Sequence, residues 1–419
     1  MTHTEGRVPA GAVMQDGIAY MLRTDASGDR FFEVHTYVGK PVAVEIPAQI
    51  RHGWRTYPVK AIGEQAFYGC VELRSAVIPE SVVSIGDWAF SDCCSLTSVA
   101  IPKGVTFIGQ GAFSRCRFHS VTIPAGVTSI GSNVFCGCHL HDITIPGSVT
   151  SIGFEAFTNC FYLRAVTIMP GVRSIGFGAF SGCCELHTVT IPLGLTEIGG
   201  DAFSGCAALA SAIIPEGVTT IPSCMFRHCA ALGSVTIPDS VTSIGGEAFS
   251  GCSRLSAIDI PPGVTSIGHW AFSECGELAS VVIPEGMTVI GTGAFFGCWS
   301  LPGSLDIPSG VTSIGEQAFC ECALSRVTIP GSVGAIVRDV FSECDELVSA
   351  IIQVGVTEIG DHAFEDCTAL ASVIIPEGVT KIGERAFSGC TSLASVTIPG
   401  SVTQMGEGAF DGSTVVVRR

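Results

Sequence analysis

Apolar and polar residues along this chain follow one template, written out in Val235–Cys252 as V-T-I-P-D-S-V-T-S-I-G-G-E-A-F-S-G-C. It opens on strict alternation, with Val235 and Ile237 to one side and Thr236 to the other, the period of a strand with one buried face. Pro238 ends that strand, because proline offers no ladder N–H. A second apolar pair, Val241 and Ile244, leads to a Gly corner, and Ala248-Phe249 leads on to Cys252. Five further residues, among them the inward Leu255, complete a unit of 23.

The unit recurs from Phe67 to Phe410, sixteen Phe positions spaced 22 to 24 residues apart. A fixed period of this length means a stacked array, in which one unit cannot bury its apolar side without neighbours. Pro ends the first strand in 15 of 16 coils (Gln353 differs), Gly follows V-T-x-I in 14 of 16 (Pro222 and Val337 differ), and Ala precedes Phe in all but three. V-T-x-I predicts a second short parallel strand. The Gly predicts a turn with unusual backbone angles, and A-F-x-x-C a return through a short turn or 3₁₀ helix. The expected fold is a β-rich repeat solenoid of about 16 coils.

Residues 1–41 do not fit the unit. Ile18–Arg23 and Phe31–Tyr37 alternate like strands around Asp25-Ala-Ser-Gly-Asp29, which predicts a β-hairpin. This segment is expected to cap the first open coil. Residues 42–412 form the array. Its first coil starts at Val42–Pro47 and resumes at Val59–Gly63, so nine residues are inserted, in a stretch carrying Arg51, His52, Trp54, Arg55 and Tyr57. Insertions in arrays map to loops on one face, often the binding face; the plainer reading folds this loop over the cap. Cys116-Arg-Phe118, Cys138-His-Leu140, Cys322-Ala-Leu324, Met169 and Leu301–Ser304 each gain or lose one residue and read as local bulges. Residues 413–419 predict a terminal strand and thin C-terminal cap, its arginines discouraging edge pairing.

Composition narrows the function. Hydrophobic residues reach 47% and charged residues 14%, yet no stretch of 18 is continuously apolar, so no membrane span is expected. A net charge of −17, from 38 acidic and 21 basic residues, disfavours nucleic acid, which needs a basic stripe to release counterions. The N-terminus, Met1 to Pro9, has no basic start followed by an apolar run and does not read as a secretory signal.

The unit C-x-x-L-x-x-V-x-I-P…V-T-x-I-G-x-x-A-F-x-x-C resembles the BspA-like leucine-rich repeat of bacterial and protist surface proteins, treponemal members included. The resemblance covers most of the 419 residues. It implies a right-handed curved array with a parallel β-sheet on the concave side and short strands on the convex side. It also implies adhesin-like binding of host or cell-surface proteins, or co-aggregation, and carries no catalytic residues or cofactor. Surface or secreted localisation would follow from the resemblance, although no signal or sorting segment is visible in the sequence.

Twenty cysteines invite a metal or disulfide reading. Fifteen lie three residues after the column Phe, from Cys70 to Cys390, with Ser413 in the sixteenth place. That period is far from the two-to-four spacing of a zinc knuckle. Neighbouring coils would bring column sulfurs within disulfide range, but an odd number in one stack gives no pairing scheme. The expectation is buried thiols used as small apolar groups, which suits a reducing or anaerobic setting. The ten His, with His119, His187 and His228 among them, read as occupying different repeat positions, and no nucleophile–base motif is present. The chain is read as a non-enzyme without cofactor or metal.

The expected binding surface is the outward column of the first strand. It carries Val77, Ile213, Val282, Ile351 and Ile374, the acidic Asp259 and Asp306, and mostly Thr elsewhere. Sheet propensity alone accounts for Thr, Val and Ile; a docking face is the alternative. Trp88 and Trp270, each just before Ala, are candidate anchors. The sequence thus points to a non-catalytic protein-binding solenoid whose partner, a host matrix or cell-surface protein, docks on the concave sheet or on the Arg51–Tyr57 loop. The alternatives are a structural, weakly self-associating scaffold and an intracellular interaction protein of the same fold.

Overall fold

A computed structural model describes residues 8–301 and 303–419. The first seven residues of the expected cap and Pro302 of the Leu301–Ser304 bulge lie outside the described residues. The chain is a parallel β-solenoid with almost no helix; among the described residues a single 3₁₀ turn spans Gly331–Val333. It divides into two units, Met1–Leu209 and Ala210–Arg419.

Both units are built from the same coil. In the first, Asp142–Ile145, Ala165–Ile168 and Thr188–Thr190 pair in parallel, Ile143 opposite Val166 and Val166 opposite Val189. In the second, Ser349–Ile352 pairs likewise with Leu324–Ile329 and Ser372–Ile374. These strands make the first sheet of each unit. Two-residue strands after each Pro corner, such as Ser151–Ile152 against Ser174–Ile175, make the second sheet.

Between the sheets lies a file of phenylalanines. Phe67 to Phe203 stack ring on ring at 4.9–5.9 Å in the first unit, and Phe226 to Phe410 at 5.1–5.7 Å in the second. Every member up to Phe387 is fully buried. The column thiols do more than fill space. Cys93 Sγ donates to the Phe67 carbonyl of the preceding coil at 3.1 Å, and Cys252 repeats this on Phe226 at 3.2 Å. Burial pushes the Cys252 thiol up to about 12.

The corner glycines differ from expectation. Their φ angles are ordinary; what requires Gly is the backbone of the coil behind. A Cβ on Gly199 would lie 2.3 Å from Phe177 N, and one on Gly268 would lie 2.4 Å from Gly246 N. The left-handed backbone falls elsewhere, two residues before and two residues after the column Phe. From Gln65 to Gly408, every residue two before that Phe has φ between 50° and 63°, whether or not it is Gly.

Those bends turn alternate N–H groups outward along the stack. Trp88, Phe90 and Asp92 donate to Gln110, Ala112 and Ser114 of the next coil at 2.7–2.9 Å, while Ala89, Ser91 and Cys93 donate back within their own coil. The return is therefore a third hydrogen-bonded ladder, with a 3₁₀-like bond only at every second residue. Backbone satisfaction on this scale offsets the strain of non-Gly residues in the left-handed region.

At the N-terminal end of the first unit, Val13–Gln15, Ile18–Thr24 and Arg30–Tyr37 form an antiparallel sheet. Asp25 holds the turn by accepting from the N–H groups of Ser27 and Asp29 at 3.0 and 2.9 Å. Arg30–Tyr37 then pairs in parallel with Arg55–Ile62, placing Phe32 opposite Val59, so it continues the second sheet. At the other end, Val415–Arg418 pairs in parallel with Ser395–Ile398.

Candidate binding surfaces

Strand register decides which outward residues of the first sheet are neighbours. Asp306 lies opposite Thr328, Thr328 opposite Ile351, and Ile351 opposite Ile374. Ile374 is 58% exposed and Ile351 half-buried, so two aliphatic side chains sit side by side, about 4.8 Å apart along the stack. Arg326 stands on the same face beside Ser349 and Ser372. The remaining predicted residues do not join this pair. Ile213 lies opposite Thr236, Asp259 and Val282 sit just past their strand ends, and Val77 pairs with Glu45 in the other unit.

The inserted segment is an antiparallel β-hairpin. Gln49–His52 pairs with Arg55–Ile62 around a tip at Gly53 and Trp54. The two readings of this segment divide between its residues. Tyr57 and His52 both meet the buried Phe32 edge-on at 6.1 Å, which ties the hairpin's base to the antiparallel sheet. Trp54 is 95% exposed, with Arg51 and Arg55 exposed beside it.

Two features of the first unit were not foreseen. Phe154 and Phe177 are exposed and stack on each other at 5.7 Å. Three of the ten histidines also share one position of the repeat, contrary to expectation, while the others keep to different places. Counted from the inward Leu or Phe, Arg74, Thr97, His119, His141, Arg164 and His187 fill one column of successive coils. His141 N–H donates to His119 O at 2.9 Å, Arg164 to His141 at 2.7 Å, and His187 to Arg164 at 3.0 Å. The His119 and His141 rings lie 4.7 Å apart, and His139 lies 4.9 Å from Tyr162. Burial, and after it the nearby Arg117, His119 and His141, hold the His139 imidazole below its usual value. Among the described residues, no three His, Cys, Asp or Glu converge as a metal site, and no helix is long and apolar enough to cross a membrane.

The sequence model of the BspA type leucine rich repeat region, six copies long, matches residues 60–183, 106–233, 173–302 and 302–416. The chain belongs to the BspA-type leucine-rich repeat family. Among solved structures, this BspA-type chain is similar to a leucine-rich repeat protein from Bacteroides ovatus. That likeness covers 97% of this chain and 99% of the other, at 25% identity and a TM-score of 0.64. It is similar in fold alone to the pneumococcal vaccine antigen PcpA, over 98% of each chain, at 17% identity and a TM-score of 0.54. No curated protein sequence matches it. BspA-type repeats are scaffolds of a kind generally without catalysis, and their family suggests an interaction or surface-repeat role.

Proposed function

We propose that this BspA-type chain is a non-catalytic protein-binding repeat whose partner docks on the first sheet of the unit Ala210–Arg419, in the manner of an adhesin engaging a host or cell-surface protein. The observation that carries this reading is the in-register pair Ile351 and Ile374. Adjacent exposed aliphatics mark a contact more often than isolated ones do. Here they are rimmed by Ser349, Ser372, Thr328 and Arg326. An apolar centre with a polar rim is the usual anatomy of a protein interface.

Ile351→Lys with Ile374→Lys tests it. The pair is on the surface, so the thermal melt should hold while adhesion to a decellularised matrix layer falls at least about tenfold, as loss of an interface anchor does. Adhesion of the folded double variant at the wild-type level refutes the sheet as the site. Loss on Trp54→Ala alone would move the site to the hairpin.

A further inference from the structure

Each unit carries a charged hollow between its column Phe and its first sheet, and the two are of opposite character. In Met1–Leu209 a hollow of about 390 Å³ is lined by Thr97, Arg117, His119, His139, His141 and Tyr162, with no carboxylate in its wall. In Ala210–Arg419 a hollow of about 310 Å³ is lined by Trp299, Glu321, Glu343, Asp345 and Glu346 beside Cys322 and Ala323, with no cation in its wall. The first set adjoins the inward Leu or Phe of its coils, whereas Glu321 and Glu343 stand two residues after the column Phe and Trp299 and Asp345 one after the column Cys, so the two hollows lie at neighbouring but different places in the repeat. We infer that the imidazole–guanidinium hollow is a docking site for a second copy of this chain, which inserts its Glu343–Glu346 carboxylates there in mildly acidic solution.

Each hollow is electrostatically crowded by itself. In the first, the cations around His139 oppose its protonation after burial has already done so. In the second, burial and then Glu321, Asp366, Asp345 and Glu365 push the Glu343 carboxyl above its usual range. Bringing the two together relieves both. The rest of the cationic column leaves the first hollow uncompensated. Arg164 is held by Glu185 at 3.1 Å; Asp142, next in the chain to His141, faces out on the first sheet; Arg74 stands at one end of the column and His187 at the other. A foreign acidic segment would meet the same cations. The second copy is favoured because the complementary surface is already on this chain.

Net charge explains why the contact is conditional. At −17 two copies repel, though beyond about 8 Å that repulsion is screened at physiological salt. Acid lowers the overall repulsion, while in the free hollow burial and the nearby cations oppose the charging of His139. A carboxylate brought against His139 favours its protonated form, so protons are taken up on association and the contact tightens as pH falls.

Sedimentation of the full chain over a concentration series tests this at about pH 8 and about pH 6, chosen to bracket imidazole titration. The expected result is a monomer at the higher pH and a dimer or chain at the lower, with association about tenfold tighter or more. A variant with Arg117→Gln, His119→Gln and His141→Gln should stay monomeric, as should one with Glu343→Gln, Asp345→Asn and Glu346→Gln. Mixing the two should restore association, because each keeps the half that the other lacks. Equal loss on replacing His35, His228 and His269 by Gln would show a net-charge effect and overturn the proposal. So would a wild-type chain that is monomeric at both pH values, or one that binds only an added oligoglutamate peptide. All variants keep Ile351 and Ile374, so the outcome is independent of the first-sheet reading.

Discussion

The indole of Trp270 lies flat over Gly293, the residue in the same place of the next coil: a Cβ added to Gly293 would sit 2.2 Å from Trp270 Cε3 and 2.4 Å from Cζ3. Trp88 and Gly111 repeat the arrangement, at 2.2 and 2.3 Å. The two tryptophans thus fill a lane left vacant by glycine. Gly293→Ala should cost about 1–3 kcal/mol by overpacking, read from urea melts. The left-handed angle contributes about 1 kcal/mol of that cost for Ala, a share that does not depend on the ring. Adding Trp270→Ala should recover part of the loss, giving a coupling of about 0.5–3 kcal/mol in the double-mutant cycle. A Gly293→Ala loss no larger than that share would mean the ring moves aside.

Corner glycines should be less forgiving than Gly293, because their neighbour is main chain. The Cβ of Gly199→Ala would meet Phe177 N at 2.3 Å and Gly176 C at 2.6 Å, and neither can swing away. A loss of about 3 kcal/mol or more is expected, at the upper end of overpacking. Gly104→Ala is the control, with its nearest atom, Glu80 O, at 3.5 Å. It should be neutral or stabilise by up to about 1 kcal/mol through the unfolded chain. Equal costs at the two sites would remove close coil stacking as the reason for the Gly column.

That contrast shows which parts of the molecule the sequence could disclose. The inward Leu, Val, Ile and Phe columns recur within each unit, so periodicity exposes them. The reason for Gly199 is a distance between coils, and no single unit contains it. The left-handed bends are hidden because Glu155 and Trp88 occupy them where Gly would have advertised them. The imidazole column was masked by length: Cys116-Arg-Phe118 and Cys138-His-Leu140 are one residue short, so counting from Cys puts His119 and His187 out of step, whereas counting from the buried side chain aligns them. Ile351 and Ile374 were legible as a pair because they share a column in consecutive coils. Tyr57 was not, because its partner Phe32 belongs to a segment outside the repeat.

The thiol column should make the fold sensitive to alkali. Burial raises Cys70 to about 11 and Cys252 and Cys390 to about 12, against about 8.5 in an unfolded chain. A raised native value means that the native state holds its protons longer. The resulting stabilisation is complete below the unfolded value and is lost as pH climbs from about 8.5 towards about 12. Urea midpoints measured in reductant should therefore fall between about pH 8.5 and pH 10. Alkylation of the native chain should mark the exposed Cys94 and Cys184 before any column thiol. A midpoint unchanged over that range would show that the column thiols are not buried as donors to the Phe carbonyls.

The hairpin at Gln49–Ile62 separates support from contact within a few residues. Tyr57→Ala removes a ring packed edge-on against Phe32, itself fully buried, and should cost about 1–3 kcal/mol in a urea melt, part through area and part through the aromatic pair. Trp54→Ala removes a side chain that is 95% exposed and should shift the same melt by no more than about 0.5 kcal/mol. Any change in partner binding by Trp54→Ala then reports contact, because stability is untouched. The same change by Tyr57→Ala reports loss of the platform, and Tyr57→Phe distinguishes the two further by keeping the ring against Phe32. If Trp54→Ala destabilised the chain as much as Tyr57→Ala, the tip would be packed in solution and its exposed arginines, Arg51 and Arg55, would lose their claim as a presented surface.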